Sequence, residues 1–441
     1  MSKAQHQQLM QVNGSQTPEL LGIVLEELSL LSAQSNKLKP IPFQFSEVNT
    51  EGYTFFSKVN IAIDGVKGSF DKNDKLIFLL RDAGPRFSNG DFSVINANIH
   101  TSKATTQQII SEIEIDTTTG KRYVYVSQNR FLTTQYGQAD NDHDTMKSFV
   151  SYDKEKGMVS TDFYTLQVEP KNPINWRDFN YSTFTDKTKT SILDTLKIRL
   201  DGGVFNRFVP LHIDNGNLKA KIVDIQHGPL ITTLLLKTKV VVASIPVMKM
   251  LIYFEIMPQE IGFNARIHIP KVAKRVLINP KLSISLDGND LKGSIMQTAM
   301  MPGLIAHVDG KLSSTEKKLL KSRLSNDNNW IWFSTQKGFD MFAFMSVPEK
   351  YNIPIDLLYQ DSDTLSDKPE RFQGQGPNIG FRMSKLPSGT TLHVSSVLVF
   401  TDNIGNMTPQ QFAEEIKTQP PIHSQSNAKT VASVAHKQHR Q

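Results

Sequence analysis

Leu218-Lys-Ala-Lys-Ile-Val-Asp-Ile-Gln-His-Gly-Pro-Leu-Ile-Thr-Thr-Leu-Leu-Leu-Lys-Thr-Lys-Val-Val-Val242 is the stretch on which the fold turns. It reads as two extended runs, 218–226 and 230–242, broken by His227-Gly-Pro229. A Gly-Pro pair punctuates the chain because Pro fixes φ and Gly tolerates conformations that other residues avoid. The pattern repeats downstream. A turn around Ser244–Pro246 leads into 248–256, and Pro258–Glu260 leads into 261–269. Four extended runs joined by such short turns predict an antiparallel meander. Alternation in Ala265-Arg-Ile-His-Ile269 predicts a half-buried strand. The unbroken Leu234-Leu-Leu and Val240-Val-Val predict central strands covered on both faces.

Working outward, the same texture extends from about residue 40 to 405. Strands are expected at 55–63, 75–80, 92–99, 108–115 and 122–126 on one side of the meander, and at 281–286, 329–334, 340–346 and 392–400 on the other. No Pro/Ser/Gly-rich linker divides this span. The expected fold class is therefore all-β, a large antiparallel β-sandwich with an N-terminal helix and one or two short peripheral helices. The expected division is a disordered terminus (1–16), an apolar helix (17–38), an N-terminal β region (39–160), the main sandwich (161–405), a short helix (406–417) and a disordered tail (418–441). The N-terminal helix rests on Thr17 as cap, Pro18 at the first helical position, and a face of Leu21, Val24, Leu25, Leu28 and Leu31. Ser313-Ser-Thr-Glu316 is a capping box, and Thr408-Pro409 repeats the helix start.

Composition excludes several classes. The 441 residues carry 49 Lys and Arg against 43 Asp and Glu, a net charge of +6, with no dense basic run, so no nucleic-acid partner is expected. The mild excess favours an anionic surface or an acidic polysaccharide. No cysteine is present, which removes disulfides, thiol nucleophiles and thiolate-bound metals. The absence of Cys is compatible with an extracytoplasmic setting. The N-terminus lacks the apolar core of a signal peptide, and no run is long and apolar enough for a transmembrane segment. Localisation stays open.

The rhythm of Lys221-Ile-Val-Asp-Ile-Gln-His-Gly-Pro-Leu-Ile-Thr-Thr233, followed by long strands and a late Gly-rich hairpin, resembles that of galactose-mutarotase-like β-supersandwich proteins. The resemblance covers about 160–400. It implies a large two-sheet β fold found in carbohydrate-active and carbohydrate-binding proteins. None of that family's catalytic His or Glu positions has a match here, so no functional residue is carried over.

Motifs that could carry chemistry are sparse. Arg371-Phe-Gln-Gly-Gln-Gly-Pro-Asn-Ile-Gly380 is Gly-rich, but strand-like sequence follows it, and a phosphate loop needs a helix N-terminus there. It reads as a bend into an edge strand. Asp140, Asp142 and Asp144 alternate in a polar loop and could wrap a hard cation such as a structural Ca²⁺; otherwise no cofactor is expected. Trp330 and Trp332 share one strand face, and Trp176 sits in loop-like sequence, so these three are candidates for stacking on sugar rings. The histidines do not cluster, and no nucleophile elbow or Walker loop occurs.

Two functional readings follow. The first is a non-enzymatic protein for carbohydrate binding or for assembly at a surface or particle, with self-association through the apolar helix 17–33. The alternative is a carbohydrate-active enzyme of epimerase or lyase type. Convergence of two or more of His212, His227, His268, His307 and Arg266 with a carboxylate in an open cleft would favour the enzyme.

Overall fold

The computed structural model describes residues 1–35, 37–87, 108–128, 148–206, 208–321, 323–325, 328–362, 370–372 and 376–426. The chain forms two compact units. The first comprises 1–148, 227–231 and 414–441, and the second 149–226 and 232–413.

The second unit contains the meander. Lys221–Gln226, Thr232–Val242, Ile245–Ile256 and Glu260–Ile269 lie side by side, antiparallel throughout. They continue through Thr390–Thr401, Asp340–Ser346, Ile331–Ser334, Ile295–Thr298 and Ala306–His307 into a nine-stranded sheet. A six-stranded sheet, in the order Pro210–Ile213, Leu193–Val204, Leu277–Gly288, Asn378–Met383, Ile355–Gln360 and Arg323–Leu324, faces it. Leu196, Leu286, Ile379 and Phe381 from the six-stranded sheet meet Phe263, Met341 and Leu398 from the other around about 20 Å³ of residual space, room for about one water. The core is thus closed. Leu234, Leu235 and Leu236 are all inaccessible, as the unbroken run predicts, whereas Val241 is exposed at the hairpin end.

Short-range sequence signals are kept where a turn chemistry enforces them. Ser313 and Glu316 exchange the two capping-box bonds, at 3.1 and 2.7 Å, although the α-helix they open spans only Glu316–Leu319. The helix Pro409–Lys417 follows its Thr408 cap. A strand does follow the Gly-rich stretch, but it is internal rather than an edge strand: Asn378–Met383 pairs on both sides, and a Cβ on Gly380 would lie 2.1 Å from the Ile284 carbonyl oxygen.

Several expectations are corrected in the first unit. Residues 1–16 are ordered: Lys3–Gln7 is a short helix, and Leu9–Asn13 is a strand paired with Lys75–Leu79. Its Met10 and Val12 are fully buried. The apolar helix at 17–38 does not form. The segment makes 3-10 turns at Pro18–Leu20 and Leu25–Glu27, then the strands Leu28–Gln34 and Lys37–Pro40. Gly22 at φ +79° interrupts the helical path. The wide apolar stripe has a different cause. Leu28 and Leu30 enter one hydrophobic cluster while Leu31 and Ala33 enter another, so the strand is buried on both faces. Such a run matches helical and strand periodicity alike. Self-association through an apolar helix loses its basis.

The remaining differences are local. Residues 55–63 form turns with single bridges rather than a strand. Within the tail, Ile422–Ser426 is a strand on Gln108–Thr117. The expected strand at 92–99, residues 427–441 and the candidate cation ligands Asp140, Asp142 and Asp144 lie outside the described residues.

Candidate functional site

The three tryptophans are not a sugar platform. Trp176 lies within the strand Asn172–Tyr181, only 2% exposed, with its ring stacked on Phe263 at 5.9 Å. Trp332 is 7% exposed and donates its indole N–H to Asp340 at 3.1 Å, and Trp330 is 3% exposed. Stacking on a sugar needs an open ring face, and burial in the interior has covered these.

Polar groups gather instead on the outer face of the nine-stranded sheet. In the 260–269 strand, Ile261, Phe263, Ile267 and Ile269 point to the core, so Gly262, Asn264, Arg266 and His268 point away from it. Register then fixes the neighbours. Asn264 stands beside Ser395, Arg266 beside His393, and His268 beside Thr391. On the other side, Glu255 lies opposite Gly262. Asn264 donates to the Glu255 carboxylate at 2.8 Å and accepts from the Ser395 hydroxyl at 2.7 Å. A Cβ at Gly262 would sit 3.1 Å from that carboxylate, so the glycine leaves Glu255 its place. His268 contacts the Thr391 hydroxyl at 3.1 Å through Nδ1. Glu255, Asn264, Arg266, His393 and Ser395 are half-buried, and His268 is exposed.

Of the histidines whose convergence would signal an enzyme, His268 joins Arg266 here together with a carboxylate. The other three lie elsewhere. His212 sits on the six-stranded sheet against Asp201 at 2.7 Å, His307 is on the terminal strand of the nine-stranded sheet, and His227 belongs to the first unit. Sequence reasoning missed Glu255, Asn264 and His393 as a group. The two strands carrying Asn264 and His393 are more than a hundred residues apart, and only pairing joins them.

A second charged group is closed to substrates. Lys197, 1% exposed, places Nζ 2.5 Å from Asp287 and 3.9 Å from Glu370. Asp194 accepts the Arg371 backbone N–H at 2.9 Å, and the Arg371 guanidinium meets Asp178 at 2.8 Å. Burial pushes the Asp287 carboxyl up to about 7 against the attraction of Lys197, and pushes Asp194 upward as well. A cleft of about 380 Å³ opens among Met248, Ile269, Lys274, Leu277 and Leu386. Lys274 is its one titratable lining group. The groups able to titrate or to pair with an anion gather instead on the face carrying Glu255, Arg266 and the two histidines. Among the described residues no group of His, Asp and Glu has the arrangement of a metal site, and no helix is long and apolar enough to cross a membrane.

No protein-family model and no curated protein matches this chain. Solved structures to which it is similar include an α-mannosidase from Enterococcus faecalis V583, at 10% identity and a TM-score of 0.44, over 96% of this chain and 45% of that one. The chain thus spans less than half of that enzyme's length. A galactose mutarotase related enzyme from Lactobacillus acidophilus is similar at 8% identity and a TM-score of 0.31, over 57% of this chain and 98% of that one. Lysyl oxidase from Pichia pastoris is similar at 9% identity and a TM-score of 0.28, over 89% and 72% respectively. Galactose-mutarotase-related proteins are thus among the neighbours, in line with the strand rhythm. Likenesses this distant carry no functional argument, and these neighbours differ in chemistry, so function is argued from the residues.

Proposed function

We propose that the chain is a carbohydrate-active enzyme of epimerase or lyase type acting on an acidic saccharide. The observation that carries this reading is one sheet face on which Arg266 stands beside His393, with His268 and the Glu255–Asn264–Ser395 row on either side. The non-enzymatic reading leaned in part on an apolar N-terminal helix, and that segment forms 3-10 turns and a strand instead.

Roles follow from the chemistry. Arg266 pairs with the sugar carboxylate, since a guanidinium matches a carboxylate in charge and shape. His393 as neutral imidazole takes the proton on the carbon next to that carboxylate, and Arg266 stabilises the negative charge that develops. His268 stands diagonally across from His393, roughly 7–8 Å away on such a sheet, on the far side of a sugar ring. Return of a proton from His268 to the opposite face of that carbon inverts it and gives the epimer. Delivery of the proton to the departing glycosidic oxygen leaves a carbon–carbon double bond and cleaves the chain. Glu255 and Asn264, held by their mutual hydrogen bond, receive sugar hydroxyls.

Incubation with a panel of acidic polysaccharides tests this. The ultraviolet absorbance of an unsaturated product, or solvent deuterium entering the sugar, should be lost in His393→Ala and Arg266→Ala while the melting temperature holds. Neither signal from any acidic saccharide, with binding still seen by thermal shift, would return the protein to the non-enzymatic class.

A further inference from the structure

The opposite feature of the second unit is apolar and basic. Strand register brings several hairpin ends to one end of the sandwich. Val204 pairs with Leu277, Lys249 with His268, Ile269 with Thr390, and Leu282 with Met383. The connections 205–209, 243–244, 270–276 and 384–389 therefore share that end. Phe208 is 79% exposed, Phe205 57% and Val209 49%, and Val272 on the neighbouring connection is also exposed. Exposed apolar side chains grouped on adjacent connections mark an interaction surface rather than chance exposure.

The loop that carries them is held in shape by the Asn206 side chain and by a bond to the neighbouring connection. Asn206 accepts the N–H groups of Phe208 and Val209 at 2.8 and 3.1 Å, and Phe205 donates to the Val276 carbonyl at 2.8 Å. Phe205 adopts φ +57°, a conformation that Gly or Asn takes at less cost, so turn geometry does not call for a phenylalanine. Cations surround the apolar tip. The segments 239–249, 270–281 and 384–391 contain seven Lys or Arg and no Asp or Glu, and of the seven Lys281 stands opposite Asp201. Lys249, Lys271, Lys274, Arg275 and Lys385 are exposed there. The connection 347–354 adds one of each sign, Glu349 and Lys350. The opposite ends of the same strands carry both signs, Asp186, Asp224, Asp290 and Asp402 with Lys189, Lys292 and Lys337.

From this arrangement we infer that the 205–209 hairpin tip and its basic rim dock the protein on an anionic lipid bilayer. Phe205, Phe208 and Val209 enter the headgroup layer while the Lys and Arg side chains face the acidic lipid headgroups. A wedge of aromatic and aliphatic side chains suits the apolar boundary of a bilayer, and each surface cation adds attraction to anionic lipid. The charge asymmetry along the strands orients the unit as it approaches. A soluble polyanion would use the cations and leave the phenylalanines in water; a bilayer engages both. The inference does not depend on the enzymatic reading.

The test is co-sedimentation of the full chain with vesicles of phosphatidylcholine alone and with added phosphatidylglycerol. Binding is expected only to the anionic vesicles and should weaken as salt rises. Phe205→Ser with Phe208→Ser should weaken it about tenfold, and Lys271→Glu, Lys274→Glu and Arg275→Glu together about a hundredfold or more. Both variants alter exposed residues and should melt like the parent. Phe208→Trp should shift its emission to the blue on anionic vesicles, reporting entry of the tip itself. Equal binding to neutral vesicles, no binding to either, or unchanged binding by both variants would overturn the inference, as would retention on a heparin support without vesicle binding.

Discussion

Lys197 Nζ lies 2.5 Å from a carboxylate oxygen of Asp287, with the two side chains 1% and 6% exposed. Burial acts on this pair against Coulomb attraction. Desolvation penalises ionised Asp287 more than Lys197 favours it, and the carboxyl rises to about 7. In the unfolded chain it titrates near the ordinary value of about 3.9. Between those values the folded state binds more protons than the unfolded one, so this group's stabilisation is complete below about pH 4 and lost as pH rises through 7. Urea denaturation of the parent and of Asp287→Asn at pH 5 and pH 8 measures it. The parent's advantage over the variant should shrink by a few kcal/mol on going to pH 8. A constant gap would mean that Asp287 stays ionised throughout.

Removing the cation tests the same pair from the other side. Lys197→Met leaves Asp287 and Glu370 without their buried partner and should cost about 3 kcal/mol at pH 8. The cost should be smaller at pH 5, where Asp287 takes up a proton. Chemical denaturation of the variant at the two pH values reads both effects.

Gln44 joins the Gly-Pro motif within the first unit. Its side-chain oxygen accepts the N–H of Ile231 at 2.9 Å and its amide donates to the Ile231 carbonyl at 3.3 Å. A Cβ on Gly228 would fall 2.2 Å from that side-chain oxygen. Gly228→Ala should therefore displace the Gln44 amide, leaving buried polar groups unmet at a cost of about 1–3 kcal/mol. A fall in melting temperature would show it; an unchanged melt would show that Gln44 finds other partners.

Deletion of residues 1–16 should strongly destabilise the first unit. The truncation removes the Leu9–Asn13 strand with its fully buried Met10 and Val12, each worth about 1.5–3 kcal/mol in burial alone. Limited proteolysis should find new cleavage within 17–87. Resistance equal to the full chain would show that the pairing with Lys75–Leu79 adds little.

The buried indoles give a spectroscopic prediction. With Trp176, Trp330 and Trp332 all packed in the core, intrinsic fluorescence should be blue-shifted and insensitive to added saccharides. Trp332→Phe should cost about 1–3 kcal/mol, because the buried Asp340 loses a donor. Saccharide-induced quenching would place a ligand against an indole.

Much of the fold was legible in short-range signals. Gly228-Pro229 and Pro258 punctuate the meander where Pro and Gly limit the backbone locally, whereas the turn between them is made by Ala243 and Ser244 at positive φ and Pro246 lies inside the following strand. The capping box at Ser313 and the Thr408 cap were legible for the same reason. The 17–38 segment was not. A strand buried on two faces shows no alternation, and Leu28 and Leu31 suit a helix face as well as two separate cores. The site was legible only in part: Arg266 and His268 are two residues apart on one strand, whereas His393 reaches them from another.

What the sequence determined by itself was the all-β class and the antiparallel order of the meander strands, because turn chemistry and hydrophobic period act over a few residues. Tertiary structure alone decided which aromatic rings are covered, which distant strands become neighbours, and hence which polar groups share a face. Those outcomes depend on sheet pairing between residues such as Arg266 and His393, whose separation along the chain leaves no local trace.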